Sequence, residues 1–188
     1  MERNSLKAWA ASPRRLLVAC LLAVSGAGCA GAPPATLKGL PQRVEISSVP
    51  FYRGNANHSG AMALAALLSQ QGAPITPGLL DKPLGLPQGT ASLGDSIPRV
   101  AREYGMVVYP LEKHLDALLT QVAAGNPVLL RYQEGSAWWS EPRYAVLIGY
   151  DRYKQRVLLR SGMHRRQLMA FDDFAAGWAK EGHWAVLV

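Results

Sequence analysis

Cysteine is scarce in this chain, which has two in 188 residues, Cys20 and Cys29. Cys20 lies inside an apolar run near the N-terminus and is lost if that run is removed as a targeting signal. Only Cys29 then remains, and a single cysteine cannot form an internal disulfide. The sequence therefore excludes a disulfide-stapled fold for the mature chain.

Long hydrophobic runs are also missing. The apolar run near the N-terminus, Leu16 to Val24, is far shorter than the roughly 20 residues of a transmembrane helix. It is preceded by the basic residues Arg3, Lys7, Arg14 and Arg15 and followed by the small residues 25–28. Basic residues, a short apolar core and small residues before a cleavage point are the pattern of a secretory signal. We therefore interpret residues 1–28 as a signal peptide.

Acidic residues are outnumbered, with 13 Asp and Glu against 20 Lys and Arg. The signal segment contains four of the basic residues and one acidic residue, which leaves 16 and 12, a net charge of +4. So small an excess is typical of a solvated surface, and no nucleic-acid-binding motif accompanies it. The four histidines lack the spacing to carboxylates that a metal site needs. We expect no nucleic-acid partner, no metal and no cofactor.

The small residues before Cys29 resemble a bacterial lipobox, although Gly26 stands where Leu is usual. This resemblance implies that Cys29 is lipidated and anchors the protein to a membrane. Ala30 rather than Asp follows the cysteine, which favours the periplasmic face of the outer membrane. Residues 29–43 contain little apolar bulk and are interpreted as the lipidated cysteine and a flexible tether. Residues 44–188 are long enough for one domain with a core of its own.

Apolar periodicity divides that domain into a helical half and a strand half. Helices are predicted over 61–68, 76–80, 111–124 and 172–179, and from Ser92 or Asp95 to Tyr104, with a Pro/Gly loop over 82–89. Strands are predicted over 127–132, 144–150, 156–160, 167–171 and 183–188. Because the spacers between strands are short, the sheet should be mainly antiparallel. Helices followed by strands indicate an α+β fold.

The stretch VPFYRGNANHSG, residues 49–60, leads from an extended segment through a polar turn to Ser59 at the start of the first helix. A helix N-terminus presents free backbone N–H groups and partial positive charge, which can activate a nucleophile or stabilise an oxyanion. Serine is also a common N-cap, so Ser59 is open to a purely structural interpretation.

This stretch resembles the opening motif of papain-like peptidases that trim double-glycine leader peptides, family 39 of the cysteine peptidases. The resemblance extends over Val44 to Val188 and includes Trp138-Trp139, the string YAVLIGYD from Tyr144, LRSG from Leu159, and a pattern of Phe171, Phe174 and Trp178. It implies a papain-like fold, with a helical lobe that carries the nucleophile and a sheet lobe that carries the base.

The resemblance also implies that the catalytic site is degenerate. Ser59 and Gly54 stand where the family has its nucleophilic Cys and its oxyanion-hole Gln. Arg143 replaces the His that begins the strand, and Ser161, within one or two residues, replaces the Asp or Asn that orients it. Arginine stays protonated and cannot accept a proton, so general-base catalysis is lost. An active-site dyad of Ser59 with its neighbour His58 is not expected, because adjacent side chains at a helix start point apart.

Arg143 has two candidate ion-pair partners on its own strand, Glu141 and Asp151. In the papain-like fold the groove between the lobes binds an extended peptide. Trp138 and Trp139 either stand at the rim of that groove or fill the lobe interface. The other candidate binding residues are Asn57, His58, Ser59 and Arg143.

Three functions follow as alternatives. The first is a catalytically inactive, lipid-anchored pseudo-peptidase that binds a peptide or protein partner in the cell envelope, for secretion or assembly. The second is an active peptidase or amidase that uses Ser59 with an unrecognised base. The third is an architectural subunit whose cleft is filled by its own side chains.

Overall fold

A computed structural model describes residues 39–135 and 138–188 of the chain. The predicted signal peptide, the lipidation of Cys29 and most of the tether lie outside the described residues. Within the described part, no helix is long and apolar enough to cross a membrane.

The described chain contains five α-helices and a seven-stranded sheet. The helices are α1 Ser59–Gln70, α2 Pro77–Leu84, α3 Leu93–Glu103, α4 Leu115–Ala123 and α5 Phe171–Lys180, and short 3-10 turns precede α1 and α3. The strands are β1 Arg43–Glu45, β2 Tyr109–Pro110, β3 Val128–Gly135, β4 Ser140–Asp151, β5 Arg156–Ser161, β6 His164–Ala170 and β7 Ala185–Leu187. All pairings are antiparallel, in the order β2-β7-β3-β4-β5-β6, with β1 on β4. The predicted α+β class and antiparallel sheet are confirmed.

The sheet separates two hydrophobic clusters. Helices α1, α2 and α3 pack on one face and α4 and α5 on the other. Side chains alternate between the faces along β4, so Tyr144 and Val146 face α1 whereas Ala145 and Leu147 face α4 and α5. This alternation decides which side chains of β4 can enter a site beside α1.

Helix α1 is the buried centre of the first cluster. Its first ten residues, 59–68, are all buried, as its small and apolar sequence predicts. Gly60 allows α3 to approach, because a Cβ there would lie 3.0 Å from Leu93 Cδ1. Shortening a fully buried leucine such as Leu64 costs about 2–5 kcal/mol. The N-terminus of α1, where Ser59 lies, is thus fixed by packing on several sides.

Several boundaries differ from the sequence predictions: β3 continues to Gly135, β4 begins at Ser140 and β6 at His164, and strands β1 and β2 were not predicted. Helix α4 starts four residues later than predicted, because the His114 ring accepts a hydrogen bond from the Ala117 N–H and caps the helix there. The predicted loop over 82–89 is helical up to Leu84, and Gly85 ends α2 at a φ of +74°. The last residue assigned to the tether, Arg43, already belongs to the sheet as the first residue of β1.

Candidate functional site

Ser59 is the first residue of α1 and is 2% exposed. Its Oγ donates a hydrogen bond to the Ala56 carbonyl at 2.6 Å and accepts one from the Tyr144 N–H at 3.0 Å. The side chain therefore joins the preceding 3-10 turn to β4 and does not cap the helix amides. The hydroxyl proton is committed to a carbonyl oxygen, which cannot act as a general base.

The histidines lie elsewhere. The His58 ring interacts with Asn55 Oδ1 at 3.2 Å, and the His114 ring with Glu112 at 2.6 Å. His183 lies edge-on to Trp178, and His164 is exposed on β6. Throughout residues 39–135 and 138–188, no histidine is hydrogen-bonded to Ser59. The nucleophile position consequently has no imidazole base.

Arg143 is 8% exposed and forms two ion pairs, Nε with Glu134 of β3 and Nη2 with Glu141 of β4. Its backbone is next to Ser59 through the Tyr144 N–H, but its side chain alternates with that of Tyr144. Asp151 is not a partner, because it lies at the far end of β4, where it accepts the Lys154 N–H at 2.9 Å. The expected pairing with Glu141 is present, and the expected pairing with Asp151 is wrong.

Ser161 belongs to the same buried polar network as Arg143. It is 3% exposed, and its hydroxyl is 2.9 Å from the Tyr132 hydroxyl. Tyr132 in turn donates to Glu134 at 3.1 Å, the carboxylate that pairs with Arg143. Burial raises the pKa of Tyr132 above its ordinary value, so the phenol stays protonated and able to donate. The structure thus brings Arg143 and Ser161 together through Tyr132 and Glu134.

Gly54 lies beside the site, but its role is confined to the backbone. Its N–H donates to the Gly162 carbonyl at 3.2 Å. A Cβ at this position would lie 2.8 Å from Met62 Sδ, so a side chain requires Met62 to move. Gly162 is similarly close to Arg143, because a Cβ there would lie 2.9 Å from Nη1. Gly54 has no side chain, so it cannot supply a side-chain amide to an oxyanion.

Cavities lie on both sides of Ser59. One of about 370 Å³ is lined by Ser59, Asn57 and Tyr144 among others, with Thr90 and Ala91 before α3 and Glu141 and Pro142 of β4. One of about 510 Å³ lies between residues 51–58 and α2. A crevice of about 10 Å³ shares Ser59 with the first and Met62 with the second. We call these three adjoining spaces the cleft, a groove in which Ser59 lines the crevice and the 370 Å³ cavity but not the 510 Å³ cavity.

The candidate binding residues are divided over this groove. Asn57 lines the 370 Å³ cavity and His58 the 510 Å³ cavity. Arg143 is not among the residues that line either cavity or the crevice. Trp138 and Trp139 are 97% and 62% exposed at the end of the β3–β4 hairpin. The two tryptophans therefore do not fill the lobe interface.

Arg131 and Tyr144 line the cleft but were not among the site residues predicted from the sequence. Arg131 lines the 370 Å³ cavity, pairs with the partly buried Glu181 at 2.7 Å and lies 5.7 Å from the centre of the Tyr144 ring. Burial raises the pKa of Tyr144 to about 12. The alternation of β3 gives a signal for Arg131, a cation among buried apolar residues. In the part of the chain that the structure describes, no group of His, Cys, Asp and Glu could hold a metal ion.

The sequence matches no protein-family model and no curated protein. Solved structures do resemble this chain. A structure described as a C39-like peptidase from Bacillus anthracis is 17% identical, with a TM-score of 0.60, covering 79% of this chain and 98% of that one. Xylellain, a cysteine protease from Xylella fastidiosa, is 11% identical, with a TM-score of 0.54, covering 82% and 88%. At such identities the likeness establishes the fold, and the predicted papain-like fold is confirmed.

Proposed function

We propose that this chain is a catalytically inactive, papain-like pseudo-peptidase that binds a peptide or protein partner in its cleft. It is carried as a lipoprotein on the periplasmic face of the outer membrane, anchored through Cys29, and serves secretion or assembly in the envelope.

The observation that carries the loss of catalysis is the bonding of the Ser59 hydroxyl. Its proton is donated to the Ala56 carbonyl, and one of its lone pairs accepts the Tyr144 N–H. A serine needs a neighbouring base to become a nucleophile near neutral pH. The residue at the base position, Arg143, is a permanent cation paired with Glu134 and Glu141. Removal of triad function costs on the order of 10⁴-fold or more in rate.

Binding is favoured over the architectural alternative by the space beside Ser59. An architectural subunit would fill its groove with its own side chains, yet cavities of about 370 and 510 Å³ remain on the two sides. These volumes are in the range of small-ligand or peptide side-chain sites. Arg131 supplies a cation and Tyr144 an aromatic ring to the wall of the 370 Å³ cavity.

The activity test is labelling with a fluorophosphonate probe together with cleavage of a broad peptide library. We expect no label and no cleavage that depends on Ser59, with Ser59→Ala as the reference. Ser59-dependent labelling or cleavage would favour the alternative, an active peptidase or amidase, and overturn the proposal.

The binding test measures how much of the same peptide library the protein captures, independently of cleavage. Ala91→Trp places a large side chain at an exposed position of the 370 Å³ cavity and should abolish peptide capture. Ala176→Trp makes the same change at an exposed position of α5, on the other face of the sheet, and should leave capture unchanged. Capture that is absent, or insensitive to Ala91→Trp, favours the architectural subunit.

The anchor is tested by metabolic labelling with a radioactive fatty acid and by membrane fractionation. Label in the outer-membrane fraction that is lost in Cys29→Ser supports the lipoprotein. A protein that is unlabelled and soluble in the periplasm contradicts it.

A further inference from the structure

A basic patch lies at the end of β4 opposite to the cleft. Arg43 of β1, Lys154 of the β4–β5 turn, Arg156 of β5 and Arg166 of β6 line one depression of about 110 Å³. We call these four residues the basic patch. All four are exposed, which places their charges in solvent.

The positive charge of the patch is only partly neutralised. Glu45 accepts two hydrogen bonds from Arg166, at 2.8 and 2.7 Å, and lies 3.9 Å from Arg43. Asp151 also lines the depression, and no other carboxylate does. Within the described ranges, neither Lys154 nor Arg156 forms an ion pair. Four cations against two carboxylates leave +2, half of the net charge of +4 that remains without the signal segment.

Exposed apolar groups accompany the charges. Tyr153, next to Lys154 in the β4–β5 turn, is 86% exposed, and Leu168, which lines the depression, is 51% exposed. Cations that surround exposed aromatic and aliphatic side chains are typical of a surface that contacts lipid headgroups.

The tether enters the domain at this patch. Arg152 in the β4–β5 turn donates to the carbonyls of Leu40 and Gln42, one through its guanidinium and one through its N–H. If Cys29 is the anchor, eleven Cα–Cα steps separate it from Leu40, which can span at most about 40 Å when fully extended. The tether therefore joins the domain at the end that contains the basic patch and limits how far that end can move from the membrane.

We propose that the basic patch lies against an anionic phospholipid surface and orients the domain on the membrane. Electrostatic attraction contributes roughly fivefold in affinity for each Lys or Arg near such a surface. The part of β4 that lines the cleft, Tyr144 to Val146, lies five to seven residues before Asp151, about 16–23 Å away along the strand. With the patch on the lipid, the cleft faces away from the membrane and toward the periplasm.

This inference rests on the proposed lipid anchor. Its test uses protein without the lipidated cysteine, so that a failure of the inference can be distinguished from a failure of the anchor. The test uses residues 35–188, one compact unit that contains both hydrophobic clusters, with folding verified by circular dichroism. Sedimentation with vesicles of phosphatidylcholine and 30% phosphatidylglycerol measures binding at low and high salt. We expect binding to the anionic vesicles, none to pure phosphatidylcholine, and loss of binding at high salt.

The matched variants have the same net charge. Lys154→Glu/Arg156→Glu should weaken binding about 20-fold or more. Arg102→Glu/Lys113→Glu changes two exposed cations outside the patch and should leave binding within about twofold. No binding to anionic vesicles, or equal loss in both double variants, would overturn the proposal. Equally tight, patch-dependent binding to a DNA oligonucleotide or an acidic protein would also overturn it, by assigning the patch to polyanions in general.

Discussion

Replacing Ser59 by alanine separates a structural hydroxyl from a catalytic one. The change removes the partner of two buried backbone groups, the Tyr144 N–H at 3.0 Å and the Ala56 carbonyl at 2.6 Å. A buried polar group left without a partner costs about 1–3 kcal/mol. The site is 2% exposed, so water cannot readily replace the hydroxyl. We expect Ser59→Ala to lower the free energy of unfolding by about 1–3 kcal/mol.

The assay is equilibrium unfolding in urea at neutral pH. The midpoint should fall while the slope of free energy against urea stays the same, since the surface exposed on unfolding is unchanged. Ser92→Ala is the matched control, because the Ser92 Oγ also donates to a carbonyl three residues earlier, Gly89 at 3.0 Å, but is exposed. Its effect should stay below about 0.5 kcal/mol.

A Ser59→Ala variant that keeps or gains stability would contradict a structural role for the hydroxyl. Catalytic side chains are often held at a cost in stability, so replacing one with alanine commonly stabilises a protein. If Ser59→Ala is as stable as the parent chain or more stable, the hydroxyl is not structural, and its bonding no longer argues against a nucleophile.

Three further predictions concern the surface and the titrating groups. Replacing Trp138 and Trp139 by alanine should change the free energy of unfolding in urea by less than about 0.5 kcal/mol, because both side chains are exposed. The same double replacement should weaken peptide capture. Unchanged capture would show that the two tryptophans do not belong to the binding surface. The hydrogen bonds from Arg166 lower the pKa of Glu45, so their stabilisation is present above pH 4.5 and is lost as pH falls through the folded pKa. Arg166→Gln should therefore raise the Glu45 pKa in an NMR titration and cost at most about 1 kcal/mol at neutral pH, converging with the parent in acid. Because burial raises the pKa of Tyr144 to about 12, its proton stays bound in the folded state after the unfolded state loses it. Tyr144 should therefore lower stability by about 1.4 kcal/mol per pH unit between roughly pH 10 and 12, in addition to the contribution of Tyr132, and Tyr144→Phe should remove the Tyr144 part of the slope.

The fold could be predicted from the sequence because the apolar patterns that indicate its helices and strands are local. Helix α1 is apolar on all sides and ends before Gly72 and Pro74, and the strands after residue 127 are short apolar runs with brief spacers. Boundaries were less predictable where a cap decides them, as at His114, or where the pairing strand is distant, as for β1 with β4.

The site was only partly predictable. Motif resemblance named Ser59, Arg143 and Ser161, and the structure brings these three positions into one region. The partners of Arg143 were not predictable in full, because Glu134 comes from β3 and its proximity depends on the register of Tyr132 opposite Arg143. Register across strands is a tertiary property, set by the packing of both sheet faces.

The same register shows that the proposed loss of catalysis would involve more than one side chain. Arg143 is buried, and a buried cation is tolerated only when carboxylates compensate it. Glu134 and Glu141 provide that compensation, and Glu134 is further fixed by Tyr132 and by Gln167 Nε2 at 2.8 Å. A histidine at position 143 would leave Glu134 and Glu141 without their guanidinium, so the surroundings fit an arginine better than an imidazole. The residues around position 143 thus support a structural ion pair.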